Sequence, residues 1–499
     1  MKSALLVGRT QELETLDRLI QRPEAAFILV YGRRRVGKTR LLQHWAKESG
    51  LPTFYWEAPR TTADNVRASL AREFGRWALG DSGPRAPRYD DWADLFRAIY
   101  QHVAQRPTIL IFDEFPWAVE ADNSLPSYLK TAWDQLFTNS QVKLALTGSH
   151  ISTMEKLLDS DAPLFGRLTS KLYVRPLPFA EIKSFVRRYS AEKRLAVYAL
   201  VGGIPDYLRA WDDQADLLTN IREFFVSENS PYRNEQHVLI GDVLRRDSPD
   251  YEAVLDAVGK GLHDMEGICT DAVLPSHRVS YVLDTLAGVR LVERHIRASV
   301  PLRQHESARH ARYFLSDPFL RFYYRFILPN RSQIAQGIYT ALEREFREQM
   351  RAFVGITFEE LCRTWTLVQA RHGGLPFAPE FVGSDWGPQH QADVVAVNWR
   401  EHQVLVGEAK WQMDDLDHKE WRKFLDRVQH VLARLKAADP ARKPRQEPEW
   451  TPHLILFCRH NVTPLVRAAV KEADARIVTF DEIVKDLNRL PEWPAHPTP

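Results

Sequence analysis

The stretch at residues 32–39, Gly-Arg-Arg-Arg-Val-Gly-Lys-Thr, decides the fold of the N-terminal part of this 499-residue chain. An unbroken apolar run at 26–31 precedes it, as expected of a strand that is buried on both faces of a parallel sheet. Apolar residues at helical spacing follow it, so the stretch lies at a junction of strand and helix. In that setting, this spacing of glycines, lysine and threonine predicts a phosphate-binding loop.

The loop predicts a site for ATP and Mg²⁺. Its glycines let backbone N–H groups wrap the phosphates, and the helix N-terminus adds a dipole that favours anions. We expect the lysine to reach the β- and γ-phosphates and the threonine to hold Mg²⁺. The predicted nucleotide-binding residues of the loop are Gly32, Arg33, Arg34, Arg35, Val36, Gly37, Lys38 and Thr39.

A second apolar run, 108–112, ends in two adjacent carboxylates, Asp113 and Glu114. Ligands of open α/β sheets bind at the carboxyl ends of the strands, so both side chains should face the nucleotide. We expect Asp113 to bind Mg²⁺ through water and Glu114 to polarise the water that attacks the γ-phosphate.

A third run, 143–147, is followed by Gly148 and Ser149, and its polar end should lie beside the other two. Either Thr147 or Ser149 could hydrogen-bond the γ-phosphate or the attacking water, and an ordinary turn at the end of a strand explains the same residues. We take Ser149 as the candidate nucleotide contact.

Length and composition limit the class of protein. A chain of this length should form about three domains, and 44% hydrophobic with 26% charged residues indicates a folded, soluble protein. A net charge of +2 leaves the partners open, so a nucleic-acid surface would need local clustering of basic residues. Three scattered cysteines argue against disulfide scaffolds and zinc sites. Neither a signal peptide nor a membrane span is evident, so we expect a cytoplasmic protein.

Three stretches resemble the archaeal-type ATPase family, which belongs to the AAA+ and STAND-like P-loop ATPases. They are Val-Gly-Arg-Thr-Gln-Glu-Leu-Glu-Thr-Leu at 7–16, the arginine-rich loop, and Gly-Gly-Ile-Pro-Asp-Tyr-Leu at 202–208. The resemblance implies a helical lid over 176–240, with Pro205 near the nucleotide. It also implies an arginine finger, for which Arg167 is the candidate, acting within one chain or across a homo-oligomer. An ordinary surface arginine is the alternative.

The middle of the chain, 241–330, predicts a winged helix. Helical patterns at 251–263, 268–274 and 277–287 lead into a strand at 289–294. Arginines then accumulate: Arg294, Arg297, Arg303, Arg309 and Arg312. This segment could bind DNA, and it could equally be an internal packing module.

The C-terminal part, 340–490, places acidic and basic residues on a predicted hairpin. Strands at 391–398 and 403–410 with a turn between them set Asp393 opposite Glu408, and Lys410 projects from the same face. Such carboxylates suit Mg²⁺ or Mn²⁺ in the hydrolysis of a phosphodiester, with the lysine orienting water or stabilising charge on the phosphate.

The order of Glu359 on a helix, Asp393 on a strand and Glu408-x-Lys410 on the next strand resembles the PD-(D/E)XK nucleases, although Ala392 stands where that motif has proline. The resemblance implies that Glu359, Asp393, Glu408 and Lys410 are catalytic. The whole chain is then an α/β protein with an ATPase core at 1–175, a lid, a winged helix and a nuclease-like domain. We expect ATP to control a DNA nuclease in DNA processing or defence. The alternative is a nucleotide-dependent switch or DNA-binding regulator whose nuclease-like domain is inert.

Overall fold

A computed structural model describes most of the chain as two compact units. The described residues are 6–80, 88–244, 249–306, 311–387, 390–411, 415–439 and 449–490. The first unit comprises Met1–Leu177, Ile204–Arg209 and His237–Arg246, and the second comprises Pro178–Gly203, Ala210–Gln236 and Asp247–Pro499. The segment predicted as a lid therefore contributes residues to both units.

The elements up to residue 177 alternate between strands and helices. In chain order they are α1 (Thr10–Ile20), β1 (Ala26–Tyr31), α2 (Lys38–Ser49), β2 (Thr53–Glu57), α3 (Ala63–Leu79), α4 (Trp92–Val103), β3 (Ile109–Asp113), α5 (Phe115–Ala121), α6 (Leu125–Gln135), β4 (Lys143–Gly148), α7 (Ile151–Lys156) and β5 (Ser170–Tyr173).

The sheet of the first unit has the strand order β2-β3-β4-β1-β5, and every pairing in it is parallel. All residues of β1, β3 and β4 are buried, which explains why apolar residues predominate in them. The predicted α/β fold with a parallel sheet is confirmed. Because the strands are parallel, the phosphate loop after β1 and the polar residues after β3 and β4 share one edge.

From residue 178 onward helices dominate until the C-terminal sheet begins. In chain order the elements are α8 (Ala191–Val201), α9 (Pro205–Arg209), α10 (Leu217–Ile221), α11 (Glu235–Leu244), α12 (Pro249–Gly259), α13 (Met265–Ala272), α14 (Ser276–Gly288), β6 (Val292–His295), β7 (Arg312–Leu315), α15 (Pro318–Phe322), α16 (Arg331–Ala335), α17 (Thr340–Arg371), β8 (Phe381–Trp386), β9 (Gln391–Asn398), β10 (Gln403–Lys410), β11 (Asp415–Leu416), α18 (His418–Ala438), β12 (Thr451–Cys458), β13 (Asn461–Val462), α19 (Pro464–Glu472), β14 (Arg476–Thr479) and α20 (Phe480–Arg489). Short 3-10 or π turns lie at Phe137–Asn139, Phe179–Ser184, Arg222–Val226, Leu302–Gln304 and Tyr323–Ile327.

The middle segment has three helices, α12 to α14, followed by the antiparallel pair β6–β7. This is the element order predicted for a winged helix. The strand begins at Val292 rather than at 289, because α14 continues to Gly288 and a turn follows it. Of the predicted wing arginines, Arg309 lies outside the described residues.

The C-terminal sheet has the strand order β14-β12-β10-β9-β8. Strand β9 is antiparallel to both of its neighbours, β8 and β10, whereas β10, β12 and β14 are parallel, so the predicted separate α/β part is a mixed sheet. Pairing between β9 and β10 runs from Gln403 opposite Asn398 to Gly407 opposite Val394, which is the predicted register. Among the described helices, none combines the length and the apolar character needed to cross a membrane.

Candidate functional site

The backbone of the phosphate loop is shaped by its glycines. Gly32 has φ +153°, and a Cβ atom added to it would lie 2.3 Å from the carbonyl oxygen of Val174. Gly37, with φ +96°, directly precedes α2. A side chain at position 32 would therefore displace the backbone beyond β5, so the close approach of the two segments requires glycine.

The predicted ligands of nucleotide and metal converge at the start of α2. Lys38 is 6% exposed, and its Nζ donates to the carbonyl oxygens of Gly32 (3.0 Å) and Arg33 (3.2 Å). The Thr39 hydroxyl donates to Oδ2 of Asp113 at 2.6 Å. The structure thus brings together a lysine over the loop and two oxygen ligands of the kind that Mg²⁺ prefers.

Two residues of β2 that the sequence analysis missed border this site. The hydroxyl of Tyr55 donates to Oδ2 of Asp113 at 2.8 Å, and Glu57 pairs with Asp113 in the register of β2 and β3. Burial, followed by the charges of Asp113 and Glu114, raises the pKa of Glu57. The signal in the sequence was the strand itself, because parallel strands bring their carboxyl ends together.

Glu114 is held by the strand next to its own. It has φ +48°, and its Oε2 accepts hydrogen bonds from the backbone N–H (3.2 Å) and the hydroxyl (3.0 Å) of Ser149. The other candidate, Thr147, is fully buried, and its hydroxyl has no hydrogen-bond partner among the described residues. Ser149 is therefore the polar residue after β4 that contacts the candidate base.

Arg167 lies at the surface in an ion pair with a residue of α6. Its Nη2 is 3.2 Å from Oδ2 of Asp134, and its Nη1 donates to the carbonyl oxygen of Phe165 at 2.7 Å. The hydrogen bond from Arg167 is the main reason that the pKa of Asp134 is lowered. A role as a finger would require Arg167 to leave Asp134.

The Gly-Gly-Ile-Pro stretch supports the loop through the two residues that follow it. Asp206 accepts from Nη1 of Arg35 at 2.7 Å, and the Tyr207 hydroxyl accepts from Nη2 of Arg33 at 3.0 Å. Pro205 is buried at the start of α9, whereas Arg34 is exposed. Arg33 and Arg35, which were predicted to contact the nucleotide, thus also bind residues of α9.

The opening motif supports the loop from its other side. Arg9 is 5% exposed, and its Nη2 donates to the carbonyl oxygen of Val36, which is itself fully buried. The three stretches that carried the family resemblance are therefore one contact network around the loop.

The candidate nuclease residues also come together. Oδ2 of Asp393 accepts from the backbone N–H of Ala409 at 3.0 Å, and Nζ of Lys410 lies 2.7 Å from Oε1 of Glu408. Glu408 is 2% exposed, and its second oxygen, Oε2, has no hydrogen-bond partner within the described ranges. The charged side chains of β9 and β10 thus lie together at the end of the hydrogen-bonded pairing of these two strands.

The carboxylates in this cluster disturb one another. Burial, and next the charge of Asp393, raise the pKa of Glu359 on α17 to about 8. Burial, and next the charge of Glu408, raise the pKa of Asp393 to about 6. Burial is the largest single influence on the pKa of Lys410 and lowers it, but the charge of Glu408, the hydrogen bond to Glu408 and the charge of Asp393 together outweigh burial, so the net shift is upward. A bound cation would favour the charged forms of these carboxylates.

Helix α18 contributes two cations that contact carboxylates of the C-terminal sheet. Arg427 pairs with Oε1 of Glu408, and Nη1 of Arg434 lies 3.5 Å from Oδ1 of Asp385. Within the described part of the chain, no three or more His, Cys, Asp or Glu side chains are arranged to hold a metal ion. A cation at this centre would therefore rest on Asp393 and Glu408, and it would compete with Arg427.

Comparisons with known proteins fit the fold of the first unit. Residues 6–210 match a family described as an ATPase domain predominantly from Archaea, and residues 323–424 match one described as archaeal and bacterial proteins of unknown function. The chain is 27% identical over 426 residues to an uncharacterized protein of Methanocaldococcus jannaschii, MJECL04, covering 84% of this chain and 90% of that protein.

Two solved structures are among those similar to this chain. The Walker-type ATPase PABY2304 of Pyrococcus abyssi has a TM-score of 0.48 and 18% identity, covering 64% of this chain and 96% of its own. The ORC2 protein of Aeropyrum pernix, in complexes with ADPNP and ADP, has a TM-score of 0.43 and 13% identity, covering 68% and 98%.

Proposed function

Because residues 6–210 belong to the archaeal-type P-loop ATPase family, we propose that this chain uses ATP binding and hydrolysis to control a metal-dependent DNA nuclease in its C-terminal part. Its setting would be DNA processing or defence in the cytoplasm. The proposal assigns chemistry to both clusters described above, and each cluster has its own support.

In the ATPase site, residues of the chain would bind the phosphates and Mg²⁺ and orient the attacking water. Lys38 is placed to reach the β- and γ-phosphates, and Glu114 to orient the attacking water once it leaves Ser149. Thr39 and Asp113 offer oxygen ligands to Mg²⁺, which when bound neutralises charge that develops on the phosphates. Arg167 would complete the site within one chain or in a homo-oligomer after release from Asp134.

The observation that carries the nuclease assignment is the meeting of Asp393, Glu408 and Lys410 in one buried cluster. Oε2 of Glu408 has no partner in the described chain, and burying a carboxylate oxygen without one is costly. Asp393 and Glu408 are suited to hold Mg²⁺ or Mn²⁺, which when bound lowers the pKa of a water ligand. Lys410 would then orient that water or stabilise charge on the phosphate.

Control by ATP is supported by the course of the chain between the two sites. Nη2 of Arg459 pairs with Glu192 at 2.5 Å near the start of α8, and the N–H of Arg459 donates to the carbonyl oxygen of Lys410 at 3.2 Å. Helix α8 ends at Val201, and a short turn leads to α9, whose residue Asp206 pairs with Arg35 of the loop. Residues 192–206 therefore include one side chain that pairs with Arg459, a neighbour of Lys410, and one that pairs with the loop.

Incubation of the protein with plasmid or single-stranded DNA, ATP, and Mg²⁺ or Mn²⁺ tests the nuclease. We expect cleavage that Asp393→Ala and Lys410→Ala each abolish and that Lys38→Ala alters. Lys423→Ala is the matched control, because Lys423 pairs with Glu420, a neighbour of Lys410, but is exposed on α18. Cleavage that survives both substitutions would exclude this site as its source.

The alternative function is a nucleotide-dependent switch with an inert nuclease-like domain. It is favoured by the contact of Arg427 with Glu408, which already neutralises that carboxylate, and by Ala392 in place of proline. ATP hydrolysis without DNA cleavage under any of these conditions would support it.

A further inference from the structure

A group of basic side chains lies at the end of β8, and the candidate nuclease residues do not account for it. The strand ends at Asp385 and Trp386, and Asp385 is opposite Ala392, the neighbour of Asp393. Asp385 is fully buried, and its Oδ2 accepts from the backbone N–H of Ser299 at 3.0 Å. The basic residues at this end of β8 interact with Asp385, Trp386 or one another, and we call them the β8 cluster: Arg297, Arg312, His390, His430 and Arg434.

Helix α18 aligns this cluster with the candidate nuclease centre. At successive intervals of two helical turns, Glu420 faces Lys410, Arg427 faces Glu408, and Arg434 faces Asp385. At about 1.5 Å per residue, Arg434 lies ~10 Å along the helix from Arg427. A duplex rises ~3.4 Å per nucleotide of a strand, so this distance corresponds to about three nucleotides.

The positive charge of the β8 cluster is only partly balanced. Arg297 and Arg434 share one carboxylate, Asp385, while Asp264 is the carboxylate that acts on Arg312. Burial, followed by the charge of Arg434, lowers the pKa of Arg297. Nη1 of Arg434 donates to the carbonyl oxygen of Trp386 at 2.5 Å but lies 3.5 Å from Asp385, whereas a charge-assisted hydrogen bond is about 2.7–2.9 Å, so Nε and Nη2 are the atoms of this guanidinium with donors left for an anion. These guanidinium groups therefore retain donors for a further anion.

The side chains of the β8 cluster are also packed against one another. The side chain of His390 is 4% exposed and stacks on His430 with ring centroids 4.9 Å apart. Its Nε2 lies 3.5 Å from Asp385 and has no hydrogen-bond partner among the residues the structure describes. A Cβ atom on Gly387 would lie 2.3 Å from Nη2 of Arg434, so glycine leaves room for the guanidinium.

We propose that the β8 cluster binds a phosphate group of a DNA backbone, displaced by about three nucleotides from the phosphate at the Asp393–Glu408 centre. Guanidinium forks match phosphate oxygens in geometry and charge. The inference rests on the proposed function for the identity of the anion, and it adds a binding site that positions the strand for cleavage.

Binding of a fluorescein-labelled DNA oligonucleotide by the Asp393→Ala protein in EDTA tests the site without cleavage. We expect Arg297→Gln and Arg434→Gln each to weaken binding roughly tenfold and to reduce the slope of log K against log salt by about 1. The control is Arg422→Gln, because Arg422 is exposed on the same helix. Arg434→Lys and Arg297→Lys should restore part of the affinity, and thermal unfolding verifies that each variant folds.

Two outcomes would overturn the inference. In the first, both glutamine variants have the affinity and the salt slope of Arg422→Gln. In the second, the substitutions weaken the binding of DNA and of inorganic phosphate equally, which would show a site for free anions. The proposed nuclease fails separately. DNA binding that depends on Arg297 and Arg434, in a protein with wild-type Asp393 that does not cleave, would retain the β8 cluster and reject the nuclease. Cleavage by a protein whose DNA binding does not depend on Arg297 or Arg434 would retain the nuclease and reject the β8 cluster.

Discussion

The phosphate-loop site and the carboxylate centre of the C-terminal sheet differ in how completely the chain satisfies them. In the loop site, Asp113 accepts from two hydroxyl groups and Lys38 donates to two backbone oxygens. In the C-terminal centre, the pKa values of Glu359 and Asp393 are raised, and an oxygen of Glu408 has no partner among the described residues.

The difference indicates that the two sites would gain stability from a ligand in different ways. The loop site is aligned by its own hydrogen bonds, so nucleotide meets a formed geometry. The carboxylate centre holds like charges together in a buried place, so the protein bears a cost that a cation would remove. Variants of each site should therefore respond differently, and four predictions test this from the largest effect to the smallest.

Replacement of Lys38 by alanine should have the largest effect. The variant loses the cation that is folded over the loop, so we expect ATP hydrolysis to fall by about 100-fold or more. Release of phosphate from ATP measures it. Lys47→Ala, at an exposed position of the same helix, should hydrolyse ATP like the wild type. Wild-type hydrolysis by the Lys38 variant would contradict the assignment of the site.

Gly32→Ala should destabilise the first unit by about 1–3 kcal/mol, because its Cβ would overlap the carbonyl oxygen of Val174. Nucleotide affinity should fall with it. Gly50→Ala is the matched comparison, since Gly50 has φ +67° but nothing within 4 Å of an added Cβ, and should cost only about 1 kcal/mol. Equal losses in urea unfolding would show that the close approach at Gly32 is unimportant.

Glu359→Gln should change how stability depends on pH. The folded protein raises the pKa of Glu359 to about 8 from a value near 4.5, so its stabilising contribution is complete below the lower value and is lost as pH rises through the higher one. In EDTA, the free energy of unfolding of the wild type should fall over this window. The glutamine variant should show a smaller decrease, and Glu348→Gln, exposed on the same helix, should behave as the wild type. Identical pH profiles for Glu359→Gln and the wild type would reject the shift.

Asp206→Asn should have the smallest effect. It weakens a partly exposed ion pair with Arg35, and such pairs contribute up to about 1 kcal/mol. We expect ATP affinity to decrease by less than about tenfold, as measured by calorimetric titration. Asp94→Asn, which weakens an exposed ion pair with Arg97 on α4, is the matched control. A loss as large as that of Lys38→Ala would show that α9 is part of the nucleotide site itself.

The sequence was sufficient to predict the features that depend on residues close together in the chain. The loop at 32–39, its flanking strand and helix, and the strand that ends at Asp113 follow from contiguous patterns. The register of β9 and β10 was also predictable, because the short turn between them fixes which residues are opposite one another.

Contacts between distant elements were not predictable in the same way. Arg427 and Arg434 reach carboxylates on the sheet beneath α18, and helical periodicity alone does not indicate these contacts. Their positions border the buried face, and long side chains can turn either way from there. The pairing of Asp206 and Tyr207 with the loop arginines likewise depends on how the chain returns after α8.

That return has a consequence for how this protein can be divided or recombined. The first unit takes Ile204–Arg209 from a stretch whose flanking residues belong to the second. A fragment ending at Leu177 would keep the loop but lose Asp206 and Tyr207. Exchange of the C-terminal part between relatives, or its removal by a protease, would therefore keep the contacts of α9 with the loop only if the junction lies beyond Arg209, and the match of the ATPase family ends at residue 210.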